Sequence, residues 1–89
     1  MNIDYTNLEN DIASGVFRRA LEEELIAGFR QIQQTGERLP LASHYASQIA
    51  EIVNRDVVLS DALKYELYQE ILDAVEAARK TVLGEETVS

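Results

Sequence analysis

Apolar residues recur at helical spacing along most of the chain, but the stripe they draw changes direction once. At about 100° per residue, Leu8, Ile12 and Ala13 centre on one direction. Val16, Phe17, Ala20, Leu21, Leu25, Phe29 and Ile32 centre on another, roughly 140° away on the same wheel. The change falls at Ser14-Gly15. The pattern predicts a short apolar lead-in and a long amphipathic helix that face different neighbours, with a kink or break between them.

Punctuation along the chain sets the remaining boundaries. Thr6 with Glu9 reads as a capping box opening a helix over 6–35, and Gly36 stands where a helix-ending glycine belongs. Gly28 lies within the apolar stripe among Leu21, Leu25 and Ile32. A missing side chain there suits core packing, or a close approach by another backbone. Gly36 to Pro40 reads as a turn, with Pro40 at the first helical position of a second segment over 41–55. That segment sets Ala42, Tyr45, Ala46, Ile49, Ala50, Ile52 and Val53 against a polar ridge of His44, Gln48, Glu51 and Arg55. After an apolar connection, Val57-Val58-Leu59, Ser60-Asp61 caps a third helix over 60–83. Its core face carries Leu63, Leu67, Ile71, Val75, Ala78 and Val82, and Gly84 ends it. The expected architecture is an all-α, small antiparallel bundle of three main helices, the first broken near Ser14-Gly15. Residues 1–84 form one domain and 85–89 a frayed tail.

Composition narrows the function classes. Sixteen acids stand against eight Lys and Arg, a net charge of −8. Such a surface repels nucleic acid and anionic membranes and complements a basic protein. No cysteine is present, and His44 is the sole histidine, so neither a disulfide frame nor a thiolate metal site is expected. No apolar run approaches the ~20 residues of a membrane span, and Met1 opens no signal-peptide pattern. The expected setting is cytoplasmic, with no cofactor.

Candidate chemistry is sparse. Glu24 falls inside the apolar stripe of the first segment, which marks it as a possible buried acid, needing a partner or a raised pKa. Arg18, Arg19, Arg30 and Arg38 are candidates for an anion site. Arg18 can pair with Glu22 and Arg19 with Glu23, however, and no enzyme is expected. On the third helix Tyr65, Tyr68 and Leu72 widen the apolar arc beyond one core contact and adjoin Gln69 and Glu76. Aromatic side chains beside acids suit a protein interface. Glu66, Glu70 and Asp73 draw an acidic stripe along the same helix. The expected function is a small acidic interaction module of the adaptor, immunity or inhibitor type. Its protein partner has a basic rim. The alternative is an acidic mimic of nucleic acid that occupies the basic site of a nucleic-acid enzyme. A homodimer is also expected, from Leu8 and Ile12 on one side and Tyr65, Tyr68 and Leu72 on another.

Overall fold

The computed structural model describes residues 7–87, with side chains through Gly84. It is all-helical: α1 is Leu8–Ser14, α2 Val16–Gln34, α3 Ala42–Asp56 and α4 Asp61–Thr87. Thr6 of the expected capping box lies outside the described residues, and Asn7 ahead of α1 makes no side-chain cap hydrogen bond.

The break between α1 and α2 is a single residue. Gly15 sits at φ 83° and ψ 0°, a left-handed conformation that costs other L-residues roughly 1–2 kcal/mol. Its N–H donates to the Ile12 carbonyl at 3.3 Å, and its carbonyl accepts the Arg19 N–H at 3.1 Å. One glycine therefore ends one helix and starts the next. The elbow swings α1 so that Leu8 and Ile12 enter the same core as Phe17, Leu21, Leu25 and Phe29. The two stripes thus share one neighbour, which corrects the expectation that they face different ones. Leu8 and Ile12, at 4% and 7% exposure, are spent inside the chain and offer no outward dimer surface.

The α2–α3 turn follows its sequence signals closely. Gly36 adopts φ 81°, the Gly36 N–H reaches the Gln33 carbonyl at 3.0 Å, and the Glu37 N–H reaches Ile32 at 3.3 Å. That bond pair is the Schellman arrangement. Pro40 is displaced from its expected place: α3 begins at Ala42, after Leu41 in extended conformation (φ −65°, ψ 141°). Ser60 caps α4 as expected, its Oγ accepting the Leu63 N–H at 3.2 Å. Gly84 does not end α4, which continues to Thr87. Positive φ occurs only at Gly15 and Gly36 among the described residues. A glycine that stays right-handed does not turn the chain out of a helix, so the tail expected from residue 85 is helical in backbone through Thr87.

α4 organises the core. Its 27 residues span about 40 Å at 1.5 Å per residue, matching the longest extent of the molecule, 43 Å against 22 and 20 Å. α1, α2 and α3 all approach α4, whereas no Cα of α2 comes within 8 Å of a Cα of α3. Side chains bridge that wider gap: the Phe29 and Tyr45 rings meet edge to face, centroids 5.5 Å apart at 67°. Leu39 and Leu59 pack on the core from the two connections.

Candidate protein-interaction face

The two sides of α4 differ sharply. Leu67, Ile71, Ala74, Val75, Ala78 and Val82 are all at 0% exposure and set its inner direction by their three- and four-residue spacing. Tyr68, Leu72, Tyr65 and Glu76 step away from that direction at about 70°, 110°, 130° and 150° on a helical wheel. Glu70, Glu66 and Asp73 step away on the opposite flank at about 90°, 130° and 150°, with Gln69 between the flanks. An aromatic edge and an acidic edge thus border one outward strip.

Exposure grades along this strip. Tyr65 is 68% exposed. Glu66, Asp73 and Glu76 are exposed, while Gln69 and Glu70 are half-buried. Tyr68 and Leu72 are half-buried and pack on the core cluster. The expected trio of anchors therefore resolves into one outward tyrosine and two side chains shared between core and surface. Two further apolar residues are exposed towards the ends of α4: Val58, fully exposed in the connection before it, and Leu83, 40% exposed near its end. The apolar character of the α3–α4 connection was the available signal for Val58.

Other candidate residues take different places. Glu24 is exposed, which corrects the reading of it as a buried acid. α2 buries only Phe17, Leu21, Leu25 and Phe29, a stripe narrower than its apolar residues suggest. Glu24 sits on its margin, in an open hollow with Gly28, Ile32 and Tyr45. Gly28 meets neither core packing nor a close backbone, since a Cβ placed there has nothing within 4 Å. The four candidate arginines are not gathered. Arg18 and Arg19 line one hollow with Glu22 and Glu23, and Arg38 lines another with Arg79. The ridge on α3 is closed within itself: the Gln48 amide donates to His44 Nε2 at 3.2 Å, and Arg55 donates to Glu51 at 3.1 Å. Both members of that ion pair are about 70% exposed, so it contributes only ~0.3–0.5 kcal/mol.

No group of three or more metal-ligating side chains gathers among the described residues. No helix among them is long and apolar enough to cross a membrane. Comparison with protein-family models, curated proteins and solved structures finds no match to this chain.

Proposed function

We propose that this chain is a small acidic protein-interaction module, of the adaptor, immunity or inhibitor type, that binds a partner protein through the outer strip of α4. The observation that carries the reading is Tyr65, 68% exposed although its helix supplies the buried centre of the molecule. A tyrosine offers a large contact area with a polar tip. Exposed Glu66 is next to it, and exposed Asp73 and Glu76 follow about two and three turns further along the same helix. That pairing suits a partner with an apolar centre and a basic rim. The module acts by binding alone, in the cytoplasm, without a cofactor and without direct contact to nucleic acid or membrane.

The bundle itself is read as antiparallel between sequence neighbours. Gln33, late in α2, shares a hollow with Arg79 and Leu83, late in α4. Leu8 and Ala13 of α1 share another with Leu59, just before α4, and Leu63, in its first turn. These pairings support a chain in which α2 and α4 run in the same direction and α3, packed on α4, runs back the other way.

A second copy of the chain is a weaker occupant of the strip, because it brings another net charge of −8 to an acidic surface. Mimicry of nucleic acid is also weaker. It calls for acids spread over a broad face, and Glu66, half-buried Glu70 and Asp73 make one short row.

A photo-crosslinking benzoylphenylalanine at position 65 tests the reading in native lysate, against the same group at position 44 on the α3 ridge. The module reading expects a light-dependent adduct from position 65 and none from position 44. Adducts from position 44 alone, or equally from both, defeat it.

A further inference from the structure

We propose that the gap between α2 and α3 is a groove for a basic amphipathic helix of another protein, seated across from α4 as the fourth helix of the bundle. The groove is separate from the outer strip of α4 and does not rest on the function proposed above. α2 and α3 both pack on α4, yet no Cα of one comes within 8 Å of a Cα of the other. The Phe29 and Tyr45 rings bridge them, and an open hollow remains beside those rings, lined by Ala27, Gly28 and Ile32 as well. A Cβ placed on Gly28 meets nothing within 4 Å, so α2 stands bare at that point.

Both walls of the gap hold apolar side chains in solvent. Val16 is 54% exposed and Ile52 51%. On a helical wheel Val16 falls within about 20° of Ala27 on α2, and Ile52 within about 20° of Tyr45 on α3. Ala27 and Tyr45 line the hollow, so Val16 and Ile52 continue its two walls. From Val16 to Ala27 is about 16 Å of helix, or three turns. That length suits an amphipathic helix laid into a groove, and an open fourth position between two packed helices is the place a bundle offers it. Charge selects the occupant. Among the described residues Glu24 is the one charged group that lines the hollow, and it is exposed. Arg18, Arg19 and Arg30 lie about 120–140° from Glu24 around α2. On α3, Arg55 is turned about 80° from Tyr45 and donates to Glu51 at 3.1 Å. A helix with Lys or Arg beside its apolar stripe therefore complements Glu24 and a chain of net charge −8. A second copy brings the same acid and the same net charge to the gap.

The test titrates the isotope-labelled chain with stapled helical peptides of about three turns, followed by amide and methyl NMR. One peptide has a leucine stripe flanked by lysines, one the same stripe flanked by glutamates, and one the lysine composition scrambled so that no stripe forms. The lysine-flanked helix shifts the Gly28 amide and the Ala27 and Ile52 methyl signals saturably. The glutamate-flanked helix binds at least about fivefold more weakly, and the scrambled peptide leaves those signals in place. Gly28→Leu fills the gap and weakens binding at least about tenfold. Ile52→Lys, at an exposed position that keeps the fold, does the same by repelling the lysines, and Glu24→Gln weakens binding about threefold. Absence of saturation at ~1 mM peptide overturns the proposal. So does an equal response to the scrambled or glutamate-flanked peptide, or a response confined to Tyr65 and its neighbours on α4. Concentration-dependent shifts of the groove signals without any peptide make a second copy the occupant and overturn it as well.

Discussion

The inner and outer faces of α4 lie on one helix, yet different physics governs them. The inner face is six small and medium aliphatic side chains with no solvent exposure, and its identity is dictated by volume. The outer face carries Tyr65 and three exposed acids, which nothing in the fold requires. The inner face explains why the chain folds, whereas the outer face is where a function can be placed without disturbing folding. Tyr68 and Leu72 lie on the boundary, since both are half-buried and pack on the core.

Mutations can break this comparison, and the largest effect belongs to the inner face. Ile71→Ala, at a position with 0% exposure, removes core volume and costs about 3 kcal/mol of stability. A denaturant titration checks it, and a shift below ~1 kcal/mol would mean that the inner face is not the core. Tyr65→Ala should lose about 2 kcal/mol of binding to the partner as an interface anchor. Its unfolding free energy should stay within ~0.5 kcal/mol of the parent. Kinetic binding data beside a thermal melt separate the two quantities. Tyr68→Ala sharpens the boundary: it should show both losses, each smaller than the purer case.

The two glycines of α1–α2 and mid-α2 give smaller effects of opposite sign. Gly15→Ala should destabilise by ~1–2 kcal/mol, because its φ of 83° disfavours a side chain. Gly28→Ala should stabilise by up to ~1 kcal/mol, since its helical backbone is ordinary and a Cβ meets open space. Melting curves of the pair decide it, and a destabilised Gly28→Ala would show that the α2–α3 hollow is tighter than described. Smallest is the exposed charge pair Glu66→Lys with Asp73→Lys. It should slow association at low salt and converge with the parent at high salt, as read by stopped-flow kinetics. Glu70 is a poorer probe, because it is half-buried and its reversal would also disturb packing.

Much of the fold was legible in the residues, for local reasons. The stripe rotation at Ser14-Gly15 located the left-handed elbow, although not that it would bring both stripes to one core. Gly36 and Ser60 acted as the capping rules expect. Gly84 and Pro40 missed their expected roles, because each signal permits a helix boundary without compelling one. The exposure of Glu24 was hidden because it depends on how far α2 and α3 stand apart, a tertiary quantity. The width of the apolar arc on α4 marked a surplus beyond the core. Which of Tyr65, Tyr68 and Leu72 faced outward depended on neighbouring helices. The buried, unpaired Nε of Arg79 had no signal at all in the sequence, since the turn beside Arg79 is brought there only by folding.

The central claim is that the outer strip of α4 is the binding surface, and one comparison tests it most directly. Parent and Tyr65→Ala chains serve as matched baits in native lysate, with quantitative mass spectrometry and melting curves on the same preparations. The account predicts a partner with a basic surface that the parent retains and Tyr65→Ala loses, at indistinguishable melting temperatures. Equal retention of that partner by both baits would contradict it.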